Sequence, residues 1–195
     1  HSTVGGWAAT RSSGMQSDKY GDIADIVRGM TVVRPGGVVK LKPVPSESTG
    51  PSLREMFIGS EGRLGVITDL WLRVHKLPEE RVVVAYMYPQ WEAAVEAIHA
   101  MADAEIPTTF VRISDANETA FSLSTQKEAL TLKKKVEARV TEELWAFMRR
   151  RGWDTDAMCI SYVCFEGSKD DVDARRRQVV KIAKAHGALV LGTGP

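Results

Sequence analysis

The pattern of apolar and polar residues changes texture at HKLPEER, residues 75–81. Before it, elements are short and broken by glycine and proline. Leu70, Leu72 and Val74 alternate with Asp69, Trp71 and Arg73, which predicts one strand with two unlike faces near Val66 to Val74. Val32, Val33, Val38 and Val39 flank Arg34-Pro35-Gly36-Gly37, and Pro-Gly between β-branched pairs predicts a hairpin. Residues 41–52 carry three prolines and read as an irregular surface loop, followed by a short helix at Leu53 to Ile58. Residues 1–22 hold Gly5, Gly6, Gly14 and Gly21 among small polar residues and read as a loop.

After the boundary the runs lengthen. Strands are expected at 81–88, 108–114 and 157–167, and a last one begins near Ala188. Residues 90–105 predict a helix with Ala94, Ile98 and Met101 on one side, and 117–123 a short one. The clearest helical period runs through 129–150, where Leu132, Val136, Val140, Leu144 and Phe147 recur at spacings of four, four, four and three. Ser168 is a candidate N-cap for a helix over 169–186, with Asp170 and Asp171 in its first turn. The order β-α-β-α-β-α-β predicts a split βαβ arrangement, an antiparallel sheet with helices on one face. The fold class is therefore α+β, in two units that meet at residue 76.

Composition narrows the function classes. Hydrophobic residues make 44% of the chain and charged residues 26%, as in ordinary globular proteins. A net charge of +1 gives no case for nucleic acid. No apolar run approaches the ~18 residues of a membrane helix. Cys159 and Cys164 lie five apart in one expected strand, so they face opposite ways and read as reduced, buried thiols. His1, His75, His99 and His186 are scattered, which argues against a metal site. No GxSxG stretch exists to support hydrolase chemistry. The basic run LKKKVEARV reads as a solvated helix face. Arg149, Arg150 and Arg151 suit the C-terminal end of a helix dipole, with an anionic membrane surface as the alternative.

Two glycine-rich stretches, Gly5 to Gly14 and Gly59 to Gly65, fit neither the dinucleotide fingerprint nor the phosphate-binding loop. Each alone reads as a turn. Together, with Thr3, Thr10 and Ser12 as hydroxyl donors, they point to a ligand loop whose amides meet phosphate oxygens. Glu61 either caps nearby amides or orients that loop. Arg112 sits mid-strand among Phe110, Val111 and Ile113. An interior position demands an anionic partner or ligand, whereas a solvent position carries little meaning, and the pattern leaves both open.

The stretch STVGGWAATRSSGMQSDKYGDIADIV, residues 2–27, followed by GSEGRLGVIT, residues 59–68, resembles the FAD-binding domain of vanillyl-alcohol-oxidase or PCMH-type flavoenzymes. Trp7 and the Thr10-Arg11 pair are similar to the alkyldihydroxyacetonephosphate-synthase branch. So are STGP at 48–51, VRISD at 111–115 and the run from Phe165 to Ala188. The resemblance implies a second FAD-binding subdomain at 1–76 and part of a ferredoxin-like cap or substrate domain at 77–195, both internal to a longer chain. The expected catalytic tyrosine and histidine-rich segment lie beyond Pro195, so no catalytic residue is assigned here and the segment alone is expected to be inactive.

The implied cofactor is FAD. Ser2 and Thr3 are expected against its isoalloxazine or ribityl part, with Gly5 and Gly6 allowing close backbone approach. Thr10, Arg11, Ser12 and Ser13 form the next binding segment. Glu61, Gly62, Arg63, Leu64, Gly65, Val66 and Ile67 contact it mainly through the main chain, and Arg63 replaces a common threonine. Arg112 helps to position the flavin or an anionic substrate. The implied activity is ether-lipid synthesis, in which the acyl group of acyl-dihydroxyacetone phosphate is exchanged for a long-chain alcohol through a flavin N5 adduct. Left open are an FAD-linked oxidase or dehydrogenase of 2-hydroxy acids such as lactate or glycolate, and a non-catalytic domain that has lost FAD. The implied partner is a small-molecule or lipid substrate with phosphate. Peripheral membrane association and a homodimer stay open, as does a cytoplasmic or, in a eukaryote, peroxisomal location.

Overall fold

The structure, a computed structural model, describes residues 2–44, 48–128 and 146–194. It divides into two compact units, His1–Leu77 and Pro78–Pro195.

The first unit carries α1 (Val4–Ala9), α2 (Ser17–Tyr20), α3 (Ile23–Ile26), β1 (Val27–Arg34), β2 (Gly37–Leu41), α4 (Leu53–Phe57) and β3 (Val66–Leu72). Its sheet runs β2-β1-β3, antiparallel throughout. The expected hairpin forms, with Arg34 opposite Gly37 across Pro35-Gly36. Ala8, Ile23, Ala24, Val27, Met30, Val32, Phe57 and Ile58 make the core.

Two expectations need correction. Residues 1–22 are not a loop: α1 and α2 lie within them, and α3 begins at Ile23. Thr3 caps α1 by accepting the Gly6 N–H at 3.1 Å. Asp22 heads α3 in a complete capping box with Asp25. The alternation in β3 also breaks. Thr31 pairs with Asp69 but Val32 pairs with Ile67, so Thr68 is an extra residue. The bulge puts Ile67 and Leu70 both against the core, while Leu72 and Val74 stay exposed at 39% and 85%.

The second unit carries β4 (Glu80–Tyr88), α5 (Trp91–Asp103), β5 (Phe110–Ser114), α6 (Ala116–Glu128), helical residues 146–150 as α7, β6 (Cys159–Gly167), α8 (Lys169–Ala185) and β7 (Leu189–Gly194). The order β5-β6-β4-β7 is wholly antiparallel. β6 thus lies between β4 and β5, the split βαβ arrangement expected of an α+β fold. Val84, Tyr86, Tyr88, Cys159, Val163 and Phe165 face α5 and α8, whose buried faces are Ala94, Ala97 and Met101, and Val172, Val179 and Ala183. Ala97, not Ile98, completes the α5 stripe. On the opposite sheet face Met87 and Ile160 pack with Met148 of α7 and with Met158, so helices cover both faces and not one as expected.

Most of the long helical period, residues 129–145 with LKKKVEARV up to Val140, falls outside the described residues. Of its end, Phe147 is 45% exposed and Met148 is buried instead. Arg151 lies over the Phe147 ring at 4.8 Å. Ser168 occupies the N-cap position of α8, but its hydroxyl makes no cap bond. Cys159 and Cys164 are free and buried. Cys159 packs towards the helices, and Cys164 pairs with Phe110 and Val83 on strands at the next register. Burial pushes the Cys159 thiol up, with Asp115 and Glu92 adding to the effect.

Tyr86 and Tyr88 are fully buried, and neither hydroxyl reaches a hydrogen-bond partner. Burial pushes Tyr88 up to about 12, eased slightly by the nearby Ser161. Tyr86 rises further, through burial and then the neighbouring Tyr88. The unfolded phenol ionises at about 10 and the folded one later, so the unfolded state loses its proton first. The contribution of these phenols is intact below about pH 10 and is lost as pH rises towards the folded value. Urea unfolding should show stability falling by up to ~1.4 kcal/mol per pH unit per tyrosine in that window. Tyr86→Phe should flatten the slope and leave neutral-pH stability equal or higher. A wild-type slope that persists in Tyr86→Phe, and in Tyr88→Phe as well, would refute this.

Candidate functional site

The two glycine-rich stretches, some fifty residues apart, dock onto each other through their backbones. Ala8 O accepts the Gly59 N–H at 2.9 Å, and Ala9 O accepts the Glu61 N–H at 2.9 Å. These carbonyls lie at the open C-terminal end of α1, where helix carbonyls lack internal partners. The same end closes on itself: Ser12 N–H reaches Trp7 O at 2.9 Å and Arg11 N–H reaches Ala8 O at 3.2 Å. This is the Schellman pattern, which places Arg11 in the left-handed conformation at φ 50°. Glycine is usual there. An arginine supplies a side chain that pairs with Glu55 at 2.8 Å.

Glu61 is likewise left-handed at φ 53°, between Gly59 at 78° and Gly62 at 80°. Its amide, rather than its carboxylate, makes the inter-loop bond. Gly5 serves the same docking, because a Cβ there would stand 3.3 Å from Ile67 O. A Cβ on Gly6 would stand 3.2 Å from its own cap, Thr3 Oγ1. The expected hydroxyls are engaged locally. Ser2 Oγ accepts from Trp7 Nε1 at 3.0 Å, Thr10 Oγ1 contacts Ser12 Oγ at 2.9 Å, and Ser13 Oγ donates to Ser17 Oγ at 3.2 Å. Arg63 Nε reaches Ser60 O at 3.4 Å. Leu64 and Val66 are exposed at 44% and 66%.

A polar cavity of about 440 Å³ opens beside Arg11, walled by Arg28, Arg54 and Arg73 and by the carboxylates Asp22, Asp25 and Glu55. Arg54 Nε is buried with no hydrogen-bond partner and stands 3.6 Å from Glu55 Oε1. A cationic N–H buried without a hydrogen bond suits an anionic oxygen. Sequence reasoning missed Arg54 and Glu55, because nothing in their spacing ties them to Arg11.

In the second unit Arg112 stands on β5, the edge strand, at 47% side-chain exposure. It pairs with Tyr162 across β6, and Tyr162 with Ala85 across β4. The flanking Val111 and Ile113 pack with the α5–α8 core, so Arg112 points to the other sheet face. Its partner there is Glu118, by a hydrogen bond and ion pair from Nη2 to Oε1. Among the described residues no cluster of His, Cys, Asp and Glu is placed to hold a metal ion, and no helix is long and apolar enough to cross a membrane.

The fold and the docked loops define a class. Residues 77–194 match the family described as FAD linked oxidases, C-terminal domain, and residues 1–42 match an FAD binding domain. The chain belongs to the FAD-linked oxidase family, whose cofactor is FAD. Within it, the chain is 34% identical over 194 residues to an alkyldihydroxyacetonephosphate synthase of Dictyostelium discoideum, covering 100% of this chain and 31% of the relative. A solved alkyldihydroxyacetonephosphate synthase superposes with a TM-score of 0.82 at 34% identity, over 98% of this chain and 33% of that one. A D-lactate dehydrogenase of Anaerostipes hadrus is 44% identical over 98 residues, 49% of this chain and 21% of the relative. The chain thus spans about a third or less of the length of these relatives.

The residues fit a flavin dinucleotide. Arg54 Nε, buried without a hydrogen bond and only loosely paired with Glu55, suits an anionic oxygen beside Arg11. The Thr10 hydroxyl is engaged by Gly6 O at 3.0 Å and by Ser12 Oγ, so this segment would meet the cofactor as an acceptor, and exposed Leu64 and Val66 offer apolar contact.

Proposed function

We propose that this chain is part of an FAD-dependent, alkyldihydroxyacetonephosphate-synthase-like enzyme. The reaction consumes acyl-dihydroxyacetone phosphate and a long-chain alcohol and yields the alkyl ether and a fatty acid. The observation that carries this reading is the extent of the likeness: the synthase of Dictyostelium discoideum aligns with all of this chain, across both units, while the dehydrogenase aligns with half. FAD, when bound, supplies the covalent chemistry at the exchanging carbon.

The residues of this chain bind and orient. The docked segments 2–13 and 59–67 would hold the cofactor in the first unit, with Thr10, Arg11 and Ser12 as polar contacts and Leu64 to Ile67 as the backbone and apolar edge. In the second unit Arg112 would take the substrate phosphate, since a planar guanidinium matches phosphate oxygens. The 98-residue likeness to a D-lactate dehydrogenase favours a second reading, a 2-hydroxy-acid dehydrogenase on the same loops.

One experiment separates them. The intact flavoprotein is mixed anaerobically with D-lactate or glycolate, then with acyl-dihydroxyacetone phosphate and hexadecanol. Unchanged flavin absorbance in the first mixture and alkyl ether in the second support the synthase. Rapid bleaching without ether refutes it in favour of the dehydrogenase. Protein that purifies colourless and takes up no FAD refutes both.

A further inference from the structure

Strand β5 runs straight from Arg112 into α6 through Asp115-Ala116-Asn117-Glu118, which has the acid-x-x-Glu spacing of a capping box. Asp115 performs its half, and its Oδ1 accepts the Glu118 N–H at 2.7 Å. In a complete box the N3 carboxylate returns to the N-cap N–H, as Asp25 does to Asp22 at the head of α3 in this same molecule. Glu118 does otherwise. Its carboxylate turns to Arg112 Nη2.

The frame that holds Glu118 is rigid. Thr119, 2% exposed, donates from Oγ1 to Ser114 O at 3.2 Å and accepts the Ile160 N–H at 3.2 Å. Thr119 N–H also bonds Asp115 O at 2.8 Å. The first turn of α6 is thereby tied to the end of β5 and the start of β6, the strands that carry Arg112 and Tyr162. Both side chains of the pair are partly exposed, at 47% and 43%, and Arg112 is the longer, with more rotamer freedom to lose. A pair of two free surface side chains adds little stability. A carboxylate on a fixed frame instead sets the direction of the guanidinium it holds.

We propose that Glu118 is a positioning residue for Arg112. It anchors the guanidinium through Nη2 on the sheet face turned away from α5 and α8, so that the remaining N–H donors meet the substrate phosphate. This rests on the reading of Arg112 as the ligand of that phosphate.

The test uses the intact flavoprotein, titrated calorimetrically with dihydroxyacetone phosphate and assayed in steady state. Glu118→Ala should weaken binding about fivefold and raise KM alike, since orientation of a partly exposed cation is lost. kcat should stay within about twofold, because the contact is made equally in ground and transition states. Glu118→Gln, which keeps an acceptor oxygen, should recover part of the loss. In an Arg112→Ala background, Glu118→Ala should have no further effect. Unchanged affinity in Glu118→Ala, beside weakened binding in Arg112→Ala, overturns the inference alone. A Glu118→Ala loss that persists in full without Arg112 also overturns it. Unchanged affinity in Arg112→Ala overturns the reading of Arg112 and this inference with it.

Discussion

Arg175→Ala is expected to destabilise the second unit by about 3 kcal/mol, more than any surface substitution there. Arg175 lies on α8 with only 11% of its side chain exposed. Nη1 donates to Pro107 O at 2.8 Å, and Nη2 donates to Glu166 O at 3.0 Å and Asp171 Oδ2 at 2.6 Å. One guanidinium thus ties three segments: the approach to β5, the end of β6 and the first turn of α8. It also does what the Ser168 hydroxyl does not, since it holds that first turn to the sheet. Truncation removes the Arg175 donor from two carbonyls in a partly buried place, and each such loss costs ~1–3 kcal/mol. Lysine cannot reproduce the fork, so Arg175→Lys should recover only a minor part.

The buried thiols of Cys159 and Cys164 give a local readout. Pulse alkylation of the intact protein in urea, read by peptide mass mapping, should place their exposure ~1–2 M lower in Arg175→Ala. Arg177→Ala, an exposed change on the same helix, should leave it in place. Coincident curves for Arg175→Ala and wild type would show that the clamp contributes nothing.

The contrast between Arg175 and Ser168 also shows where the sequence could be read and where it could not. The α8 start was legible from Ser168, Asp170 and Asp171, yet the tie that secures it comes from a residue a turn further on. Its partners are backbone carbonyls, which leave no mark on the side-chain pattern. The sheet of the second unit was legible because each strand is a run of β-branched and aromatic residues between clear helices. The hairpin at Pro35-Gly36 was legible because proline and glycine restrict the backbone locally. Helix α1 was not, because Gly5 and Gly6 disfavour a helix on propensity. Tertiary contact decides it: Gly59 and Glu61 donate to the carbonyls at its end.

The same reason limits what could be read of the site. Both loops announce themselves by their glycines, but their docking runs through amides and so has no residue signature. The partners Glu55 and Glu118 were missed differently. Each makes a side-chain bond across an element boundary, 44 and 6 residues from its arginine. Only Glu118 carried a local signal, the spacing from Asp115. The bulge at Thr68 brings Ile67 and Leu70 to one face, and β3 ends at Leu72, so Leu72 and Val74 stay outside the core.

Gly65→Ala should have the largest effect on the cofactor. Gly65 has φ 144°, a conformation that strains any L side chain. Its Cβ would also stand 2.7 Å from Val32 Cγ1 and 2.8 Å from Val33 O. Val32 is fully buried and both groups lie on the central strand β1, so neither can yield cheaply. Strain and overlap together should cost about 3 kcal/mol in the first unit. The relief available is displacement of the segment 59–65 from α1, which would break the Gly59 and Glu61 bonds and open the surface assigned to FAD.

Gly62→Ala is the matched control. Gly62 also has positive φ, at 80°, but no atom lies within 4 Å of its Cβ position. It should cost only ~1 kcal/mol and leave the docking intact. Equilibrium dialysis of the intact apoprotein against FAD, with urea unfolding beside it, should show Gly65→Ala weakened at least about tenfold and Gly62→Ala near wild type. Equal losses in both variants would mean that backbone strain, and not contact with β1, sets the loop. Full FAD affinity in Gly65→Ala would mean that the docked pair of loops does not hold the cofactor.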